Sequence, residues 1–187
     1  MRPVPRQPAP STRLGFTLVE VIATVVIVGA IGVFIAGAVR ATADAYAAAA
    51  QRAELVNSAS AALERAVTGL RDIPLRASVT PAEPAIETIT TSSIIATAAD
   101  GAYGLALSGT NLQLTVAGVT TTLVRHVSDF QVRAFDQDNI ALADTLSGNT
   151  CDPVRRIELT LTLSRNAVSE TLRTRVFLRC MIAGAST

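Results

Sequence analysis

The sequence has no tryptophan and no lysine, one histidine and two cysteines, and its aromatic content is only 4%. Each scarcity excludes something. A lone His126, followed by Asp129 with no identifiable nucleophile partner, does not make a catalytic triad. Two cysteines and one histidine cannot build a zinc site of the usual spacing, and neither a nucleotide-binding glycine loop nor a dinucleotide fingerprint occurs. Charged residues make up 17% of the chain, against roughly a quarter in ordinary soluble domains. With 49% hydrophobic residues the chain is too apolar to be a solvated, disordered segment. Every one of its 16 basic residues is arginine, nearly balanced by 15 acids for a net charge of +1. These arginines are spread along the sequence, whereas nucleic-acid binding needs a concentrated basic surface, so no nucleic-acid partner is expected. At 187 residues the chain suits one ordinary domain, or one domain with an appendage.

The apolar excess is concentrated. Val21 to Val39 carry no charge, and extension back to Phe16 gives 24 residues with one charge, Glu20. As a helix this stretch would measure about 36 Å, enough for a hydrocarbon core of about 30 Å. It lacks the polar face that a buried soluble helix of this length would show. Gly29, Gly32 and Gly37 lie within it, which a membrane helix tolerates. Before it comes a leader containing Arg2, Arg6 and Arg13, no acid, and four prolines that prevent a helix. The arginines place the N-terminus in the cytoplasm and the rest of the chain across the membrane. A secretory signal cleaved near Ala36-Gly37-Ala38 and a retained anchor are both compatible with this pattern, although the apolar run exceeds the usual length of a signal.

The junction is more specific. Gly15-Phe16-Thr17-Leu18-Val19-Glu20 runs directly from the basic leader into the apolar stretch. Over residues 13–40 this resembles the processing motif of type IV prepilins and type II secretion pseudopilins. The resemblance implies cleavage between Gly15 and Phe16 by a membrane prepilin peptidase, then N-methylation of Phe16. It also implies that Glu20 pairs with the terminal ammonium of a neighbouring subunit during fibre assembly. A carboxylate inside a membrane span costs roughly 2.5–3.5 kcal/mol on insertion scales, which independently favours a functional, paired role. Loss of the leader would leave 13 arginines against 15 acids.

Beyond Val39 the helical pattern continues. Residues 41–70 contain twelve alanines, no proline and only Gly69, a composition with high helix propensity. Tyr46, Ala49, Ala53, Val56, Ser60, Leu63, Val67 and Leu70 follow steps of three and four and predict a buried stripe. Pro74 ends the helix. Residues 74–100, rich in Pro, Ser and Thr, predict an irregular connection with one strand over Ile86–Ile95. From Ala102 the period becomes two. Strands are expected around Leu112–Val116, Val119–Val124 and Val127–Phe135, with a hairpin turn at Ala117-Gly118. Strict alternation in Ile157–Ser164 and Leu172–Leu178 marks a last hairpin joined around Arg165–Glu170. One antiparallel sheet with a polar outer face, covered by the helix, accounts for the pattern.

The expected fold is therefore α+β: a long N-terminal helical spine packed on a C-terminal antiparallel β-sheet. Its divisions are a leader (1–15), a transmembrane half-spine (16–40), an amphipathic half-spine (41–72) and an exported β-rich domain (73–187). Export to an oxidising compartment favours a disulfide between Cys151 and Cys180, closing the last hairpin for roughly 3–4 kcal/mol. Asp136, Asp138 and Asn139 offer oxygen ligands, and some pseudopilins bind calcium in loops. The run lacks the glycine and distal glutamate of an EF-hand loop, so an ordinary acidic turn is the preferred reading. No cofactor is expected.

The resemblance implies a non-enzymatic minor pilin or pseudopilin, with an architecture most like the J-type pseudopilins and W-type minor pilins. Its implied partners are prepilin peptidase, other pilin or pseudopilin subunits, the inner-membrane assembly platform and membrane lipid. Its implied location is the bacterial inner membrane, then a pilus or pseudopilus. A single-pass inner-membrane protein with an exported binding domain and a secreted protein with a cleaved signal are the alternatives.

Overall fold

The structure is a computed structural model and describes residues 17–76, 83–98 and 101–179. One helix, α1, runs without interruption from Leu18 to Arg71. Thr17 starts it, its carbonyl accepting the N–H groups of Glu20 and Val21 at 3.1 and 3.2 Å. Its end falls three residues before Pro74, whose ring excludes the helical conformation for the residue ahead of it. The chain divides into two compact units between Ala47 and Ala48. The first contains the apolar stretch of α1, with Leu18 through Val39 exposed. The second holds the rest of α1 and, among the described residues, nine strands.

The expected α+β class is what the structure has, with one correction: two antiparallel sheets replace the single sheet. Six strands, β1 (Ile86–Thr90), β2 (Ser93–Ala98), β3 (Gly101–Ser108), β4 (Asn111–Val116), β5 (Val119–Arg125) and β7 (Leu146–Ser147), form one sheet in the order β5-β4-β3-β2-β1-β7. Three more, β6 (Val127–Phe135), β8 (Arg156–Arg165) and β9 (Val168–Phe177), form the other in the order β6-β8-β9. The switch occurs at His126, which adopts φ 63° between β5 and β6. That left-handed residue turns the chain out of one sheet and into the next. Backbone bonds stitch the sheets together at this seam: Val127 N–H donates to Thr110 O at 2.9 Å and Ser164 N–H to His126 O at 2.8 Å.

The segment expected as one strand over Ile86–Ile95 is a hairpin, with Thr91 and Ser92 as its turn and Ile89 paired with Ile94. Neither turn residue is Gly, Asn, Asp or Pro, so the usual punctuation was missing. The Ala117-Gly118 turn stands where expected, with φ of 51° and 80°, the signature of a two-residue primed turn. Asn166-Ala167, at 49° and 65°, closes β8 onto β9, so these strands run closer together at the turn than the Arg165–Glu170 loop anticipated.

The helix buries a stripe different from the expected one. Leu55, Ala59, Ala62, Leu63, Ala66 and Leu70 are buried, whereas Ala49, Ala53 and Ser60 are exposed. Only Leu63 and Leu70 belong to both sets. Small side chains decide the matter, because alanines at 59, 62 and 66 let the helix axis approach the sheets closely. Tyr103 of β3 then reaches under α1, and its hydroxyl donates to Ala66 O at 3.0 Å. At the turn between β8 and β9, Gln51 Nε2 donates to Arg165 O at 3.3 Å, and Arg52 pairs with Glu170. One apolar core joins α1 to both sheets, with Ile86, Ile94 and Leu105 from the larger and Phe130, Ile157 and Leu161 from the smaller.

Candidate functional site

The apolar helical stretch is the first candidate. It is the single helix among the described residues that is long and apolar enough to cross a membrane. Its few polar groups are provided for locally. Thr24 Oγ1 donates to Val21 O and Thr42 Oγ1 to Ala38 O, each at 2.8 Å, so neither hydroxyl requires water. Beyond the local helix backbone, a Cβ added at Gly29, Gly32 or Gly37 would meet no atom of the described residues within 4 Å. These glycines therefore do not serve packing within the described chain, and they leave flat places where a second helix could approach closely. Glu20 lies in the first turn, where the helix dipole favours a negative charge. It is exposed and forms no ion pair among the described residues. Gly15 and Phe16, the expected processing residues, lie outside the described residues.

Cys151 ends the 3-10 turn Gly148–Cys151 and is fully buried, its Sγ 3.8 Å from Glu87 O. Burial raises its thiol pKa, Asp152 adds to that rise, and the Arg76 guanidinium opposes it. Arg76 also donates to Ile86 O at 3.1 Å and lies 3.4 Å from Asp152, tying this turn to β1. Cys180, and with it the expected disulfide, lies outside the described residues. Leu178, two residues earlier, is buried in the inward phase expected for that strand end.

The acidic turn has other commitments. Asp136 Oδ1 accepts the N–H groups of Asp138 and Ile140 at 2.9 and 2.8 Å. Asn139 Oδ1 accepts from Arg156 and Arg175 at 2.9 and 3.0 Å. Two oxygens that a calcium ion would need thus hold protein donors. Among the described residues no group of three His, Cys, Asp or Glu side chains is placed to hold a metal. His126 is exposed and serves as the bend between sheets, while Asp129 accepts from Gln131 at 3.0 Å.

Sequence reasoning missed the outer face of the small sheet. Strand pairing aligns Phe135, Arg156 and Phe177 in one row and Arg133, Glu158 and Arg175 in the next, with Arg173 in the row after. The Arg156 guanidinium lies over the Phe177 ring and that of Arg175 over Phe135, each at 4.5 Å. Glu158 is buried although it points outward, because Arg175 bonds it through Nε and Nη2 at 3.1 and 2.7 Å and Arg173 approaches to 3.0 Å. Arg133 makes no ion pair among the described residues. The alternation of β6, β8 and β9 was legible, but the pairing register that collects four arginines was not.

Neither the protein-family models nor the curated proteins compared with this chain give a match.

Proposed function

We propose that the protein is a structural subunit of a type IV pilus or type II secretion pseudopilus, a minor pilin or pseudopilin without enzymatic activity. In this reading prepilin peptidase removes residues 1–15 and methylates Phe16. The apolar part of α1 holds the subunit in the inner membrane and then bundles with the spines of other subunits. The assembly platform drives that transfer, and the β-rich unit faces outward. The observation that carries the reading is the helix itself. It starts at Leu18, inside the Gly15–Glu20 motif, and continues for 54 residues. Its first half exposes an almost uncharged apolar surface with one carboxylate, Glu20, in the first turn. Its last four turns belong to the core of the β-rich unit.

Exchange of lipid for neighbouring apolar spines suits such a surface, because neither environment requires polar groups. Glu20 would then find the ammonium of Phe16 in the adjacent subunit, an opposite charge in low dielectric that fixes axial register. Mass spectrometry of the mature N-terminus tests the reading. A chain beginning at N-methyl-Phe16 is expected. A chain beginning at Met1 would make the protein a single-pass membrane protein with an exported domain, and a start beyond Val39 a secreted protein.

A further inference from the structure

We infer that the free edge of β5, with the groove beside it, takes up an extended, uncharged aliphatic segment of another protein as an added strand. β5 is the last strand of the larger sheet and pairs only with β4 among the described residues. The two-residue turn at Ala117-Gly118 makes Val116 and Val119 a hydrogen-bonded pair. Antiparallel ladders alternate, so Val119 and Thr121 direct their N–H and C=O groups toward β4, and Thr120 and Thr122 direct theirs away from the sheet. All four residues are exposed.

Natural sheets protect their edges with charges, prolines, bulges, very short strands or a covering segment. The other edges here follow that rule. β9 carries Arg173 and Arg175, β7 has two residues, and β6 exchanges backbone bonds with Thr91 and Leu142. By contrast, no charge and no proline occurs from Gly101 to Val124. The one irregularity of β5, the extra residue Leu123 opposite Leu112 and Gln113, leaves Val119–Thr122 regular. Beside this edge a groove of about 420 Å³ separates β5 from α1, lined by Ala61 and Ala62 from the helix and by Val116, Val119, Thr121 and Leu123 from the strands. The inner face of the sheet is incomplete there: Leu112 and Leu114 are 0% and 4% exposed, whereas Val116 and Val119 are 42% and 65% exposed. An added strand would turn alternate side chains into the groove and cover both valines.

Edge and groove together select the occupant. The outward backbone groups of Thr120 and Thr122 match an extended chain and not a helix, whose backbone groups are bonded internally. The apolar lining selects aliphatic side chains at every second position. A nucleic acid finds no aromatic ring and a single basic group among the lining residues. That group, Arg65, is the one charged residue in the lining. A second copy paired through its own β5 would bring two Arg65 side chains to one seam, and this like-charge approach disfavours self-pairing.

The test uses the full chain in detergent micelles and a fluorescent peptide of alternating threonine and valine, flanked by lysines for solubility and read by anisotropy. Saturable binding is expected, together with slower amide hydrogen exchange at Thr120 and Thr122. The same peptide N-methylated throughout its repeat lacks backbone donors and should bind roughly tenfold more weakly or worse. Thr120→Pro deletes one outward donor without touching the β4 ladder, and should weaken binding by roughly tenfold. Thr121→Lys puts a charge into the groove and should do the same; the residue is exposed, so this variant keeps the test decisive if the proline variant fails to fold. Absence of saturable binding, equal binding by the natural chain and Thr121→Lys, or equal binding of the N-methylated peptide would each overturn the inference. Concentration-dependent dimers in sedimentation that Thr121→Lys abolishes would overturn it too, by assigning the edge to a second copy.

Discussion

Gly69 shows how one atom constrains the fold. A Cβ there would stand 2.2 Å from Tyr103 Cε2, and the ring cannot easily withdraw because it is buried and its hydroxyl is bonded to Ala66 O. Gly69→Ala should therefore destabilise the protein by about 1–3 kcal/mol, despite alanine's better helix propensity, read as a lower urea midpoint. Burial also raises the Tyr103 pKa above the ordinary tyrosine value, so the phenol stays a hydrogen-bond donor throughout the neutral range. Ala167 presents the opposite case. Its φ of 65° is costly for any side chain, and Ala167→Gly should stabilise by about 1 kcal/mol in thermal unfolding. Glu158→Ala removes the acceptor shared by Arg173 and Arg175 and leaves two guanidinium groups facing each other. A loss of about 1–3 kcal/mol is expected in the same measurement, limited by the solvent access of Arg173.

At the scale of elements, α1 carries two different tasks along one continuous backbone. Its first half must remain apolar on all sides, and its second half must present a narrow, small-residue stripe to two sheets. On the proposed pilin reading, Glu20→Ala should leave processing intact, since the bond proposed for cleavage lies four residues away, but reduce incorporation into fibres. Quantification of sheared fibres against membrane-retained subunit checks this, and normal incorporation would sink the pairing of Glu20 with Phe16. The strands show how far pattern reading extends. Ile157, Leu159, Leu161 and Leu163 alternate strictly with polar residues, and all four are fully buried. The strand ends of β6 were legible for the same reason. The β1–β2 hairpin was not, because the turn Thr91-Ser92 is built from residues equally at home in a strand. The helix stripe was misplaced because steps of three and four fit more than one face of an alanine-rich helix. The sheets instead select the alanine face, where the backbone can come closest.

For the molecule as a whole, every buried residue among those described lies at Leu55 or beyond. A chain beginning at Ala48 should thus fold to a soluble β-rich protein with cooperative unfolding, followed by circular dichroism. A molten or aggregated product would show that the apolar unit is needed for folding. If the β-rich unit is exported as proposed, the unreduced protein should contain no titratable thiol when Cys151 and Cys180 are bonded, and two thiols would refute that pairing. The sequence by itself determined the membrane-length helix, the position of Glu20 at its start, the α+β class and most strands. Those features arise from local composition and from periods of 3.6 and 2 that any window of the chain displays. Only the tertiary structure decided the division into two sheets, the face that α1 buries and the gathering of Arg133, Arg156, Arg173 and Arg175. The first depends on one left-handed residue, His126. The second depends on close packing, and the third on cross-strand register between segments tens of residues apart, which no local pattern encodes.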